Sequence, residues 1–551
     1  MTGNRISIYD TTLRDGAQGE GVHFSVKDKL VYLHKMAEAG IDFVEAGWPG
    51  ANPKDDEFFR LTSLQPNLLD SKKESYSELI ADITELLRGK TKIVAFGSTC
   101  RVNEDPENSE ILAKLLASGA STLTIFGKTW KMHVDEVLRT NNTENLRIIR
   151  ESVNFLVQAG REVFFDAEHF FDGFADNPDF ALNCLEAALE GGARGIVLCD
   201  TNGGAFPTEI IKGIEVVRNK FAPQVLGIHA HNDGGLAVAN TLAAVGSGAN
   251  QIQGSWNGFG ERCGNANLST LLPWLQLKMG YKLLDQEVIS NLTHLTRYVA
   301  ELANYPFDEK QPFVGKSAFA HKAGMHVDAV LKNNRTFEHI DPSMVGNERR
   351  ILVSDQSGKA NICARMRAFK PDIEKDHPLV ELAMEKIKQA ENEGFQYETA
   401  EGSLDLLLME ILDEYQPPFT LEDYHVWSDP LRGELDSVAV IKVKVEDESV
   451  HIAAEGDGPV HALDRALRRT LSAFFPVIEE SELIDYKVRV LDGSFGTGSV
   501  VRVVVETRHG LDSWGTIGVS SNILRASAKA LLDALYIVIL RDQGKLKSTF
   551  S

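Results

Sequence analysis

Eight times in the first part of the chain, a short β-branched or aromatic run ends in polar or glycine-rich residues. Each time it gives way to a stretch with helical apolar spacing. The runs are "ISIYDTT" (6–12), "FVEAGWP" (43–49), "KIVAFGS" (92–98), "TLTIFGK" (122–128), "EVFFDAEHFFD" (162–172), "GIVLCDTNG" (195–203), "VLGIHAHND" (225–233) and "QIQGSWNG" (251–258). Strands alternating with helices imply parallel βαβ units. Eight such units in about 260 residues is the number that closes a (β/α)8 TIM barrel, the fold expected here; a doubly wound open sheet is the alternative and more often carries fewer strands. Several helices run into Ala39-Gly40, Gly119-Ala120, Ala159-Gly160, Gly191-Gly192 or Gly248-Ala249 just before the next run, the signature of a C-cap glycine feeding a strand.

Beyond the barrel, expected over 1–285, the strand signal gives way to helical patterns such as "EVISNLTHLTRYVAELAN", and a helical lid and linker region is expected over 286–416. Pro417-Pro418 marks the start of a C-terminal α+β domain over 417–551. That domain reads as an internal β-β-α duplication, with "DSVAVIKVKVEDESVHIAAEGDGPVHALDRALRRTL" answered by "GSVVRVVVETRHGLDSWGTIGVSSNILRASAKALLDAL". No cluster of titratable residues accompanies the repeats, so they suit a regulatory or dimerisation module better than a catalytic one.

Charge narrows the partners. With 57 Lys+Arg against 79 Asp+Glu the net charge is −22, a surface that repels phosphate backbones and anionic lipid headgroups, so neither nucleic acid nor membrane is an expected partner. Any phosphorylated ligand would need a locally basic pocket. Five widely spaced cysteines without a C-x-x-C pair give neither a disulfide framework nor a thiolate zinc site, and no signal sequence or long apolar run is present; a cytoplasmic enzyme is expected.

Active sites of such barrels lie at the C-terminal ends of the strands. There the first run offers Asp10, Arg14 and Asp15, and the seventh offers His229 and His231, which at i and i+2 point the same way. Two inward imidazoles and the Asp15 carboxylate form a divalent-metal site; the alternative for the histidines is a hydrogen-bonded pair at a strand end. Asn265, in the glycine-rich "GSWNGFGERCGNANL", could add an amide oxygen, or serve only in a turn. Mixed N/O ligands without thiolate admit Zn, Mn, Co or Mg.

"YDTTLRDGAQGEG", "GIHAHNDGGLAVAN" and "GERCGNANL", in that order, resemble the metal-dependent isopropylmalate and homocitrate synthase family, and the duplicated C-terminal module resembles that family's allosteric domain. "RDGAQGEG", "GKTWKMHVDEVLRT" and "FFDAEHFFDGF" look more like its citramalate-forming branch, which condenses acetyl-CoA with pyruvate. The resemblance implies Asp15, His229, His231 and Asn265 as metal ligands. It implies Arg14 as a catalytic residue that stabilises the developing alkoxide and, with Gln18 and Thr201, contacts the substrate, a turn role in "DTNGG" being the alternative for Thr201; Glu168 is implied as a catalytic residue in contact with the substrate. It implies His326 as general base with Asp328 orienting it, brought by the partner subunit of a homodimer, and Phe337 where family members often carry Tyr. Isoleucine is the implied effector, with "LDGSFGTG" (491–498) as a flexible loop of its site. The rival readings are isopropylmalate or homocitrate synthase, or a catalytically silent amino-acid sensor.

Overall fold

Parallel strands need crossover connections, and with a helical segment after every strand the sheet closes on itself. In a computed structural model that describes residues 5–63, 76–354, 357–428, 437–491, 496, 498–510 and 512–546, the strands are β1 (Ser7–Asp10), β2 (Phe43–Gly47), β3 (Lys92–Ser98), β4 (Thr122–Lys128), β5 (Glu162–Glu168), β6 (Gly195–Asp200), β7 (Val225–Ala230) and β8 (Gln251–Gly254). They form a closed barrel in sequence order, sealed by β1 against β8 from Ser7↔Gln251 to Asp10↔Gly254. The expected TIM barrel is therefore present. Most strands stop short of the runs read from sequence, because the polar residues at their ends have already turned. β5 ends at Glu168, for instance, where His169 takes a left-handed φ of 57° and opens the helix Phe170–Asp176.

The barrel interior is stratified. Near the N-terminal end Tyr9, Phe43, Val94 and Phe164 pack together, with Tyr9 and Phe164 edge to face at 6.3 Å. Beside and beyond them the buried side chains are polar: Glu45 on β2 and Asp166 on β5, each two residues past a member of that cluster, and Gln253 on β8, in register with Tyr9. The active-site rim stands on this polar layer.

The glycines flagged before strands do what the local geometry demands. Gly40, Gly119, Gly160, Gly192 and Gly248 all have positive φ, from 76° to 112°. The backbone amides of Gly160 and Gly248 close back onto Val157 and Val245 of the helices they terminate.

The chain divides into two compact units, Met1–Phe319 with Asp341–Glu348, and Ala320–Ile340 with Arg349–Ser551. The barrel unit thus extends past 285: helix Leu292–Leu302 buries Leu292, Leu295 and Val299, and the Thr296 carbonyl accepts a hydrogen bond from the Asn257 amide at 3.0 Å. In the second unit, short strands β9 (Ala320–His321) and β10 (Arg350–Ile351) pair in parallel next to helix Gly324–Lys332. Helices Lys359–Met366, Pro378–Asn392 and Glu401–Ile411 share a core around Met366, Ile387 and Leu408.

The duplication is visible in the second unit as well. β12 (Ser437–Val445), β13 (Glu448–Gly456) and helix Pro459–Leu471 answer to β15 (Val501–His509), β16 (Asp512–Ser520) and helix Ile523–Asp542. Each half also carries a strand ahead of the expected strand-strand-helix: β11 (Thr420–Ser428) and β14 (Ser481–Val490), paired antiparallel at the sheet edges. Both are largely exposed edge strands, with Trp427, Ile484, Val488 and Val490 among their solvent-facing residues. Most of the glycine-rich stretch 491–498, residues 492–495 and 497, lies outside the described residues.

Two glycines separate backbone strain from crowding. Nothing lies within 4 Å of a Cβ at Gly160, so Gly160→Ala should cost only its left-handed backbone, about 1–2 kcal/mol. A Cβ at Gly518 would sit 1.9 Å from the carbonyl oxygen of Ala526, so Gly518→Ala should destabilise the second unit by more. Urea unfolding of each variant measures the ordering.

Candidate active site

The rim begins with a turn. After β1, Thr11 N–H bonds to the Gly254 carbonyl at 2.8 Å, and the Asp10 carboxylate accepts from Thr12 N (2.9 Å), Thr12 Oγ1 (2.6 Å) and Tyr32 OH (2.5 Å). Thr12 Oγ1 in turn accepts from Trp256 N at 2.9 Å, tying the turn to the loop after β8. Burial pushes the Asp10 carboxyl up to about 6 while these hydrogen bonds pull the other way. Asp10 therefore anchors the turn, and its successors Arg14 and Asp15 face the barrel mouth.

Asp15, His229 and His231 converge there, all buried, with ligand atoms within 4.8 Å of one another. Asp15 Oδ2 lies 3.1 Å from His229 Nε2 and 3.9 Å from His231 Nε2, and the two Nε2 atoms are 3.3 Å apart. Against the burial that would raise it, Arg14 and then His229 hold the Asp15 carboxyl well below the usual carboxylate range. His229 is raised, since Asp15 outweighs the burial opposing its charge; His231 is pushed down to about 4 by burial and by His229. One carboxylate and two imidazoles with facing Nε2 atoms are a donor set that a shared cation reconciles. Asn265 fits it as well: the residue is buried, its Nδ2 donates to the Phe259 carbonyl at 3.1 Å, and its Oδ1 has no hydrogen-bond partner. The loop that delivers it depends on Gly264, at φ 85°, where a Cβ would meet the Gly258 oxygen at 1.9 Å.

Arg14 lies beside this cluster, its guanidinium 3.7 Å from the centre of the Phe96 ring. Its Nε donates to Glu45 Oε1 at 2.5 Å and its Nη1 sits 3.6 Å from Asp15 Oδ1. The other Glu45 oxygen accepts from Tyr9 OH, which also meets Thr124 Oγ1 at 2.7 Å. Asp166, pushed up to about 7 by burial and then by the Glu45 charge, accepts from Gln253 Nε2 at 3.3 Å, and Gln253 Oε1 faces His229 Nδ1 at 2.9 Å. Sequence reasoning missed Glu45, Asp166 and Gln253. The signal was available for Asp166: if Glu168 faces inward on β5, so does the residue two before it.

The other expected site residues fall as follows. Glu168 forms an ion pair with Lys128 at the ends of β5 and β4. Thr201 Oγ1 accepts from His169 N at 2.9 Å, and its carbonyl accepts from Arg262 at 2.8 Å, so it serves the turn as well as facing the rim. Gln18 lines a cavity of about 350 Å³ together with Arg14, Val22, Phe24 and Trp48. Trp48, Phe96 and Phe126 form an aromatic box, with centroids 5.6–5.8 Å apart.

His326 and Asp328 lie in the second unit, on helix Gly324–Lys332. The structure does not bring their side chains together. His326 is exposed and stacks on Phe337 at 4.1 Å, whereas Asp328 pairs with Lys332 at 2.6 Å and Lys375 at 3.8 Å, because residues two apart on a helix face different ways. Asp328 as the group orienting His326 is thereby corrected for the chain described here. His321 instead meets the buried Glu338, which Arg349 also grips through two hydrogen bonds of 2.5 and 2.6 Å.

Residues 5–296 match the HMGL-like family, 313–394 the homocitrate synthase post-HMGL domain-like family, and 398–539 the LeuA allosteric (dimerisation) domain. The chain is 44% identical over 541 residues to the (R)-citramalate synthase of Aquifex aeolicus, covering 98% of each, and 45% identical over 532 residues to that of Geobacter sulfurreducens, covering 96% and 97%. It is 29% identical over 549 residues to the 2-isopropylmalate synthase of Heliobacterium modesticaldum, covering 99% of each. Among the described residues no helix is long and apolar enough to cross a membrane.

Two measurements check the electrostatics. Asp15→Asn should weaken divalent-metal binding by at least about 100-fold in competition with a chelator. Asp166 keeps its proton up to about pH 7, where an unfolded Asp is already ionised, so native protein binds more protons and this residue costs stability as pH rises from about 4 to about 7. Asp166→Asn needs no proton, so the metal-free variant should lose less of its urea midpoint across that window than the parent does. An equal loss would refute the assignment.

Proposed function

The chain belongs to the HMGL-like family, in its (R)-citramalate synthase branch, and from that premise we propose how its residues divide the condensation of acetyl-CoA with pyruvate. The observation that carries the reading is the buried Asp15/His229/His231 cluster with Arg14 beside it at the barrel mouth. Asp15, His229, His231 and Asn265 hold a divalent cation, which when bound supplies a Lewis acid for the keto oxygen of the 2-oxo acid. Zn, Mn, Co and Mg all suit these ligands.

Arg14 has one N–H committed to Glu45 and its plane held against Phe96, so its remaining donors are fixed before substrate arrives. They stabilise the alkoxide that develops on the keto oxygen, a contact that strengthens only as charge accumulates. Gln18, Thr201 and Glu168 hold the substrates. The Trp48/Phe96/Phe126 box beside Arg14 offers an apolar wall to the substrate's alkyl group, and the preference for pyruvate rests on the identity to (R)-citramalate synthases.

His326 takes a proton from the methyl group of acetyl-CoA. The resulting enolate attacks the keto carbon, and water then hydrolyses the thioester, releasing citramalate and CoA. His326 stands on an exposed helix flanked by Met325 and Phe337, 83% and 48% exposed, which supports its delivery by the partner subunit of a homodimer. The LeuA-type domain supports allosteric control, with isoleucine as the proposed effector.

Free thiol released from acetyl-CoA, followed separately with pyruvate, 2-oxoisovalerate and 2-oxoglutarate, tests this. Pyruvate should be preferred and isoleucine should slow it. No thiol with any of the three would favour a silent sensor, and a preference for 2-oxoisovalerate would favour isopropylmalate synthesis. His326→Ala should cut turnover by about 100-fold or more without changing metal content; a loss of metal would show that the residue acts elsewhere.

A further inference from the structure

A metal-binding imidazole must present a lone pair, and which nitrogen has one depends on where its single proton sits. In His229 there are two competing places for it. A proton on Nε2 would be welcomed by Asp15 Oδ2 at 3.1 Å, but it would occupy the atom that faces His231 and the candidate metal position. A proton on Nδ1 points away from the cluster, toward Gln253 Oε1 at 2.9 Å, and leaves Nε2 free.

Gln253 can accept that proton only if its amide is turned the right way round. Amide oxygen and nitrogen are nearly the same size, so sterics do not decide the orientation. Asp166 does: Gln253 Nε2 donates to Asp166 Oδ1 at 3.3 Å, which directs Oε1 at His229. Both residues are buried in the polar layer below the rim, Gln253 fully, and His229 Nδ1 has this amide oxygen as its partner.

We propose that Gln253, held by Asp166, is a positioning residue that sets the tautomer of His229 and so readies Nε2 for the metal. Neither residue touches substrate; both act through the histidine. Outer partners of this kind are worth about 10–100-fold in metal affinity. The inference rests on the metal reading above.

The test titrates Zn2+ into metal-free full-length protein in competition with a chromophoric chelator, with thermal unfolding of each metal-free sample alongside. Gln253→Leu fills the space without an acceptor and should bind Zn2+ about 10–100-fold more weakly than the parent. The double variant Asp166→Asn, Gln253→Glu exchanges the positions of acid and amide: the carboxylate introduced at position 253 would accept from His229, and the amide introduced at position 166 would donate to that carboxylate. It should bind within about threefold of the parent, a recovery that packing alone does not predict. Parental affinity in Gln253→Leu overturns the inference, as does an exchange variant as weak as Gln253→Leu. If Gln253→Leu does not fold, the exchange variant decides by itself. Failure of the parent to bind Zn2+ would instead overturn the metal reading and this inference with it.

Discussion

A guanidinium held out of water between two carboxylates is the contact around which the barrel mouth is organised. Arg14 would be costly to bury alone; with Glu45 on one side and Asp15 on the other the charges compensate, and the flat ion lies on Phe96. Each carboxylate then passes the constraint on. Glu45 is fixed from beneath by Tyr9, and Asp15 is drawn to His229 and His231. Removing Glu45 would take away the shorter of Arg14's two contacts, the 2.5 Å bond from Nε, and leave it only Asp15 at 3.6 Å. The same contact therefore supports the fold and presets the chemistry.

Much of this was legible in the sequence. Parallel strands followed by helices with glycine caps leave few architectures, and a pair of histidines two apart at a strand end has few uses. What sequence did not disclose lies inside the barrel. Strands covered on both faces show no clean alternation, so a polar residue such as Glu45 or Gln253 carries no sign of facing inward. The parallel pairing of β7 with β8 sets Gln253 opposite His229, a contact across 24 positions with no local signature. The edge strands β11 and β14 were hidden for a different reason: their apolar residues are split between the core and solvent, so neither shows a one-faced pattern. The family resemblance implied a pair of His326 and Asp328 that helix geometry separates.

The second unit is held together differently. Its duplicated halves each lay a helix on a sheet, and their shared core is joined to the preceding helices by the buried Ser403 hydroxyl, which donates to Asp533 at 2.7 Å and accepts from Ile517 N at 3.0 Å. Hydrogen bonds of this kind define one packing arrangement more sharply than apolar contact does.

The glycine at 264 has a consequence for how this enzyme can change over generations. Any side chain there would collide with the backbone of residue 258, so the path that carries Asn265 to the barrel mouth has almost no neutral variants. On the helix bearing His326, by contrast, Met325 is open to solvent within the chain, and its replacement disturbs no core. Drift is therefore channelled: the loop that carries Asn265 is nearly frozen by backbone geometry, while the surface around His326 is free to vary.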